Sequence, residues 1–481
     1  MNSQISFVLD GRLEAIDFRD ASGLTPTTTV LNYLRSLPTH KGVKEGCAEG
    51  DCGACTVVLG ERDADGKMHY KSVDSCLVFL PMIHGKQLVT VEDLKSQKGE
   101  LHPVQQAMVE TGGSQCGYCT PGFVMSLFSL YKNKDQPSRA DIDDALTGNL
   151  CRCTGYRPIV EAAAKSCIHQ GNDVLTVLEP KVSGLLKSIP HEAVRLQTNN
   201  QEYFRPVSLT EALRLKRDHR EAIVLCGATD QALRVTKKHE LLKQIIDLSG
   251  LDEIKTISEN VSSVVIGAGV CLSEIMSKVH SHFPALHVML SVFGSQQIRN
   301  LATLGGNLGT ASPIGDTLPV LIAYNARVVL ESIGKKREMS MDDFITGYRQ
   351  TARKPDELIT GIIIPKMTNG AVVKSYKVSK RRDLDISTVS AAFRLELTGG
   401  KRIENIKLVY GGMAERTKRA TRTEEFLTGK NWEREAVAEA MLQLGKEFKP
   451  ISDARSGAEF RTVAARNLLL KFWSETAKNH A

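Results

Sequence analysis

The sequence predicts a multidomain α+β chain, and three observations carry that expectation. At 481 residues it is longer than one hydrophobic core organises, so three or four domains are expected. Eight of its 11 cysteines fall between Cys47 and Cys153, which marks the first third as a region of its own. From Phe204 onward the pattern changes to alternating short strands and helices without a further cysteine cluster.

Composition agrees with a globular protein, since 42% hydrophobic and 24% charged residues is ordinary usage. The longest apolar stretch, Cys76 to Ile83, falls far short of the roughly 20 residues that cross a bilayer. The opening MNSQISFVLDG has neither a basic n-region nor an apolar h-region, so a cytoplasmic location is expected. The net charge of +7 is spread along the chain, with short basic clusters at Lys335-Lys336-Arg337 and Lys380-Arg381-Arg382. Neither cluster is interleaved with stacking aromatics, so no nucleic-acid partner is expected.

A chain without a secretory signal that concentrates its thiols is expected to bind metal with them rather than to form disulfides. Cys47, Cys52, Cys55 and Cys76 stand in EGCAEGDCGACTV and SCL. Four intervening residues, then two, then a distant fourth cysteine is the plant-type spacing of a 2Fe-2S cluster. Gly46, Gly50 and Gly53 are expected to let the backbone wrap the cluster and turn amide N–H groups toward its sulfurs. A structural zinc site is the alternative, which four residues between the first two cysteines fit poorly.

Cys116, Cys119, Cys151 and Cys153 stand in GSQCGYCTPGF and TGNLCRCTGYRP. Pro121 suits the first turn of a helix reading FVMSLFSLYKN, and Ser138 with Asp141 forms a capping box for SRADIDDAL, ended by Gly148. Two helices can then present their ends to one metal centre. By itself this set suits zinc as well as a cluster; beside the first set, a second cluster is favoured. Cys167, Cys226 and Cys271 sit singly in apolar surroundings and are expected to be buried small hydrophobes.

In the second half, EAIVLCGATD reads as a strand running into a turn of small residues, where backbone amides can meet a phosphate. VVIGAGVCL carries Leu272 at the third glycine position and no acidic residue about 20 positions on, so a strand and tight glycine turn is preferred to a dinucleotide fingerprint. FGSQQIRNLATLGGNLGTASPIGDTLP, from Phe293 to Pro319, is a stronger candidate for a phosphate or nucleotide site. Two glycines lie in its Thr303–Asn307 core, and Ser312, Asp316 and Thr317 follow closely. Helices are expected over Val437–Lys446 and Arg461–Phe472 from apolar residues at helical spacing.

EGCAEGDCGACTV, QCGYCTPGFVMS and GNLCRCTGYRPI closely resemble the iron-sulfur region of the xanthine oxidase family of molybdenum hydroxylases, and the Phe293–Pro319 string resembles that family's FAD signature. The resemblance implies a β-grasp ferredoxin-like 2Fe-2S domain over residues 1–85 and a helical 2Fe-2S domain over 86–165, whose cluster lies nearer the molybdenum. It further implies a linker over 166–196, and the Ser, Gly and Pro content from Gln170 to about Leu196, Pro180 and Gly184 included, suits an exposed connection. An α+β FAD-binding domain of non-Rossmann type follows over 197–370, then an α+β C-terminal flavoprotein domain over 371–481. Matched position by position, flavin contacts fall on Val224, Leu225, Cys226, Gly227, Ala228, Thr229, Asp230, Gln231 and Ala232. They continue at Phe293 beside the ring, Thr303, Leu304, Gly305, Gly306 and Asn307 on the phosphates, and at Asp316, Ile359 and Lys377. Ala232 stands where the family has glycine. Asp316 would accept a bond from a cofactor hydroxyl and Lys377 would offset negative charge, although the residues alone make Lys377 an ordinary surface lysine. Ser375–Ser387 resembles the loop lying over or near the flavin, and Tyr348 and Arg349 resemble residues on the side where nicotinamide enters.

All 481 residues are absorbed by two cluster domains and two flavoprotein domains, so a molybdopterin region is expected on a large partner subunit, in a heterotetramer of two small and two large chains. Clusters and flavin on one chain favour the branch that oxidises hypoxanthine and xanthine to urate with NAD as acceptor, over carbon monoxide dehydrogenase relatives in which they are separate. No residue of this chain is then expected to act on the substrate. An aldehyde or N-heterocycle hydroxylase is the first alternative, and a zinc-stabilised regulatory or assembly protein the second.

Overall fold

The computed structural model of the chain describes residues 3–19, 23–96, 98–168, 173–367 and 370–477. The chain divides into two units, residues 1–252 with 295–302, and residues 253–294 with 303–481.

The first unit begins with a hairpin of β1 (Gln4–Leu9) and β2 (Arg12–Asp17), turned by Asp10 and Gly11 at positive φ. With β3 (Thr56–Arg62), β4 (Met68–Asp74) and β5 (Gln87–Val89) they form a sheet in the order β2-β1-β5-β3-β4. β1 and β5 run parallel and the other pairs antiparallel, the β-grasp arrangement. Helix Val30–Ser36, capped by Thr29, buries Val30, Leu31, Tyr33 and Leu34 in the core with Ile5, Phe7, Val57 and Leu59. β5 lies at the centre of the sheet, so this fold runs on to Val89, past its expected end at residue 85. Three residues are too few for alternation to reveal a strand.

Helices Pro103–Glu110, Thr120–Asn133, Arg139–Leu146 and Arg157–Ser166 follow. Pro121 stands in the first turn of its helix, and Ser138 and Asp141 exchange side-chain and backbone hydrogen bonds as a capping box. Phe123, Leu127, Phe128, Ile142 and Ile159 form one core with Val8, Val58 and Val89 of the sheet.

The expected exposed connection behaves differently. Gln170 lies outside the described residues, but Val174–Ser188 is a helix capped by Asp173, with Leu175, Val182 and Leu186 buried. Glu179 accepts from Tyr70 Oη at 3.1 Å and pairs with Lys132 at 2.6 Å, and Ser183 accepts from Arg62 at 3.1 Å. Docking overrides the Pro180 and Gly184 that read as punctuation. Beyond it β6 (Val194–Gln197), β7 (Glu202–Arg205), β8 (Ile223–Leu225) and β9 (Gln244–Asp247) form a sheet in the order β6-β7-β9-β8.

The second unit holds β10 (Ile257–Glu259), β11 (Ser263–Gly267), β12 (Arg327–Ser332), β13 (Lys335–Ser340), the short pair β14 (Ile345–Gly347) and β15 (Gln350–Thr351), and β16 (Leu358–Pro365). Its five-stranded sheet, β10-β11-β16-β12-β13, is antiparallel throughout, which is incompatible with a doubly wound dinucleotide fold. The VVIGAGVCL glycines close a tight turn instead, with Gly267 and Gly269 against the Ile254 carbonyl.

A second antiparallel sheet, β17 (Val372–Val378), β18 (Val389–Thr398), β19 (Arg402–Gly411) and β20 (Lys418–Arg419), packs its face of Tyr376, Phe393 and Tyr410 with helices Arg434–Glu447 and Ala458–Thr476. Both helices extend beyond the stretches whose apolar spacing announces them. Among the described residues no helix is long and apolar enough to cross a membrane.

Candidate functional site

The first cysteine set lies on the loop entering β3 and on the turn leaving β4. Cys55 and Cys76 are buried, Cys47 and Cys52 half-buried. The Cys52 thiol hydrogen-bonds Cys47 and, with the N–H groups of Glu49 and Asp51 at 3.4 and 3.2 Å, draws the Cys47 thiol down to about 5. The same bond pushes Cys52 up. Cys55 is raised by its bond to Cys76 and by burial. Of the three glycines expected to wrap this loop, Gly50 and Gly53 take positive φ; Gly46 does not, and is required because a Cβ there would lie 2.6 Å from Cys52 Sγ.

The second set joins the start of helix Thr120–Asn133 to the loop after helix Arg139–Leu146. Cys116 and Cys153 are exposed, Cys119 and Cys151 half-buried. Burial and a bond to Cys151 push the Cys119 thiol up to about 12. Burial also opposes ionisation of Cys151, but hydrogen bonds from the Thr154 hydroxyl and N–H outweigh it and lower its pKa. Cys153 is raised by its bond to Cys116. The loops meet in one unit, where Leu150 N–H donates to the Cys52 carbonyl at 3.0 Å.

The thiols therefore pair two by two, Cys47 with Cys52 and Cys55 with Cys76, then Cys116 with Cys153 and Cys119 with Cys151. A tetrahedral zinc at about 2.3 Å from each sulfur would bring all four thiols within about 3.8 Å of one another. Among the described residues, no three cysteine thiols lie within 4.8 Å of one another. Two pairs, each suited to one iron, fit a binuclear iron-sulfur cluster in both loops, with amide donors to sulfur already in place. Of the single cysteines, Cys167 is buried as expected, whereas Cys226 and Cys271 are half-buried, Cys226 just after β8 and Cys271 at the start of helix Leu272–Lys278.

The expected flavin residues fall in both units. In the first, Val224 and Leu225 end β8, Gly227 and Ala228 turn at positive φ, and Thr229, Asp230 and Gln231 lead into helix Ala232–Thr236. A Cβ on Gly227 would lie 1.9 Å from the Leu301 carbonyl, so this turn is pressed against the segment Ser295–Ala302. Ala232, in place of the expected glycine, is fully buried with ordinary helical backbone.

In the second unit, Thr303 caps helix Leu304–Thr310 by accepting from Gly306 N–H at 3.1 Å. Leu304 and Gly305 donate their N–H groups to the carbonyls of Val270 and Ala268. A Cβ on Gly305 would lie 2.6 Å from the Ala268 methyl, so close packing requires a glycine here. Asn307 accepts from Thr317 at 2.5 Å, and Gly309 approaches Ile359.

Lys377 is not a surface lysine. It is buried, 3.0 Å from Asp316, and donates to the Val292 carbonyl at 2.8 Å, next in sequence to Phe293. Ser387 donates to the other Asp316 oxygen at 2.5 Å. Thr303, Leu304, Gly305, Gly306, Asn307, Asp316, Ile359 and Lys377 thus belong to one packed neighbourhood, and Ser387 is a member the sequence showed only as the end of a loop string. Tyr348 is exposed and Arg349 takes positive φ. Ser375–Ser387 begins as β17 and becomes a loop only after Val378.

Three family descriptions match the chain: a [2Fe-2S] binding domain over residues 90–164, the FAD binding domain in molybdopterin dehydrogenase over 197–367, and the CO dehydrogenase flavoprotein C-terminal domain over 374–476. Xanthine dehydrogenase of Emericella nidulans is 33% identical over 98% of this chain and 38% of its own length. That of Drosophila subobscura is 35% identical over 93% of this chain and 37% of its own. The chain thus spans under two-fifths of these relatives. Among solved structures, the carbon monoxide dehydrogenase of Hydrogenophaga pseudoflava lacking the Mo-pyranopterin moiety aligns with a TM-score of 0.56 and 25% identity, over 60% of this chain and 100% of that one. A cyanide-inactivated Cu,Mo-CO dehydrogenase aligns with a TM-score of 0.54 and 26% identity, over 58% and 98%.

Proposed function

We propose that this chain, which has the iron-sulfur and flavin architecture of the xanthine oxidase family, is the electron-transfer subunit of a xanthine dehydrogenase. In this reading Cys116, Cys119, Cys151 and Cys153 hold the 2Fe-2S cluster that receives electrons from a molybdenum cofactor on a large partner subunit. Cys47, Cys52, Cys55 and Cys76 hold the second cluster, which faces the flavin step. The observation that carries the reading is the two-by-two pairing of eight thiols on a chain that also bears the flavin loops.

The residues of this chain position and insulate. Amides of Glu49 and Asp51 stabilise charge on Cys47, and Cys55 and Cys76 are kept from water. Asp316, held by Ser387 and Lys377, is fixed to accept a cofactor hydroxyl on its remaining lone pairs. Lys377 keeps a positive charge next to Val292 and Phe293. FAD, when bound, supplies the conversion between single electrons and a hydride for NAD.

Purine rather than carbon monoxide chemistry is supported by coverage. The carbon monoxide dehydrogenase chains align over 98–100% of themselves but leave about two-fifths of this chain unmatched, whereas xanthine dehydrogenases match 93–98% of it in one polypeptide. A heterotetramer with the large subunit, in the cytoplasm, completes the proposal.

Anaerobic purification with the partner subunit tests it. Two distinct 2Fe-2S signals, a flavin spectrum and NAD reduction by xanthine and hypoxanthine are expected. A preference for aromatic aldehydes or N-heterocycles would move the assignment to another hydroxylase. A colourless zinc protein would overturn it entirely.

A further inference from the structure

The two cysteine loops are locked together by a buried polar node that the relay has not used. Asn149, two residues before Cys151, is 2% exposed. Its amide donates to the Gly53 carbonyl at 3.1 Å, on the first cysteine loop, and to Thr56 Oγ1 at 3.2 Å, where that loop enters β3. Its Oδ1 accepts from Ser126 at 2.6 Å, on the helix that follows Cys119, and from Gln297 at 2.9 Å. Gln297 also donates to Ser126 at 2.8 Å, and both are fully buried.

Close backbone packing surrounds the node. A Cβ on Gly122 would lie 2.1 Å from the Gly53 carbonyl, one on Gly53 would lie 2.3 Å from the Gly148 carbonyl, and one on Gly148 would lie 2.1 Å from Gln297 Oε1. The node therefore touches both loops and the segment Ser295–Ala302, whose Leu301 presses on Gly227 in the turn after β8. Both polar groups of the Asn149 side chain have partners, while Gln297 Oε1 is buried without one. Asn149 stands beside a direct link between the sets, the bond from Leu150 N–H, next to Cys151, to the carbonyl of Cys52; a second link, from Tyr118 Oη to the Glu45 carbonyl at 2.5 Å, lies on the side of Cys47.

We propose that Asn149 is the positioning residue that registers the two cysteine loops, holding the Leu150–Cys52 hydrogen bond as the route of electron exchange between the clusters, and that Gln297 extends this register to the segment leading into Thr303. The inference rests on the two-cluster reading above. A transfer along this route oxidises the group on the second set by one electron and reduces the group on the first by one, with no bond made or broken.

The test uses the full chain carrying clusters and flavin, reduced anaerobically. In Asn149→Ala both 2Fe-2S signals and full iron content persist, while the magnetic splitting between the reduced clusters diminishes. Electron equilibration after a substoichiometric reducing pulse slows severalfold. Thr56→Val, which removes one acceptor without removing Asn149, shows a smaller change in the same direction. Gln297→Met leaves the splitting intact and slows the arrival of electrons at the flavin. A merely structural role would lower the melting temperature and leave the splitting alone. Unchanged splitting and equilibration in Asn149→Ala, or in Thr56→Val should the alanine variant lose its clusters, overturns the inference. Absence of two cluster signals in the parent protein overturns the function proposed above instead.

Discussion

The two cysteine sets share chemistry and differ in surroundings. The first is sewn into a β-grasp core, where Cys55 and Cys76 are buried among Val57, Leu77 and Phe79. The second is presented at the ends of helices, with Cys116 and Cys153 exposed and Tyr118, Leu150 and Tyr156 exposed near them in sequence. The difference teaches that the same ligand chemistry can be held by a sheet core, which buries two of its four thiols, or by helix ends, which leave two of them open to solvent.

The largest effect expected from breaking this comparison is all-or-none. Cys119→Ser should remove one of two cluster signals and abolish substrate-to-NAD turnover in the complex, while NADH-to-dye activity at the flavin survives. Cys55→Ser should remove the other signal and also lower the yield of folded chain, because it places a hydroxyl in a core. Loss of both activities in a folded Cys119→Ser protein would contradict the order of carriers.

A glycine pair sharpens the contrast. Gly53 and Gly117 both take positive φ, but a Cβ on Gly53 meets the Gly148 carbonyl whereas one on Gly117 meets nothing within 4 Å. Gly117→Ala should cost about 1–2 kcal/mol of backbone strain. Gly53→Ala adds overpacking and should cost at least about 3 kcal/mol. Chemical denaturation of the two variants reads the difference; equal costs would show the first loop to be as loose as the second.

The support under the second set should respond to pH. Burial, opposed by Asp173 and aided by Lys132, brings the His102 pKa down to about 4. The ring is neutral in the fold and gains a proton on unfolding below its ordinary value near 6.5. Its contribution is therefore fully present above that value and is lost as pH falls from about 6.5 toward about 4. Melting temperatures across this window should decline less steeply in His102→Gln than in the parent. The smallest effect belongs to the capping box: Ser138→Ala should cost about 1 kcal/mol, read as a small shift in denaturation midpoint.

Legibility followed the range of the interactions. The cysteine loops could be read because ligand spacing and capping are local: Pro121, Ser138 and Asp141 do in the structure what their types announce. The linker misled because Pro180 and Gly184 mark breaks only in a helix that lacks partners, and this one docks on Tyr70, Lys132 and Arg62. The packing of Gly305 against Ala268, 37 positions earlier, was likewise invisible in the sequence. Lys377 could not be told from a surface lysine until Asp316, 61 positions earlier, was seen beside it.

By itself, the sequence determined the mixed α+β architecture, the existence of two four-cysteine sets and the absence of a doubly wound dinucleotide fingerprint, all of which rest on residue type and short spacing. Only the tertiary structure decided that the thiols pair two by two, that two thiols of the first set are buried and two of the second exposed, and that Asn149 and Gln297 bind the loops into one node. Those properties depend on side chains up to 171 positions apart, as Ser126 and Gln297 are, meeting in a dry interior. Such meetings leave no periodic trace in the chain, because the energy that selects them comes from satisfying buried polar groups rather than from any local preference.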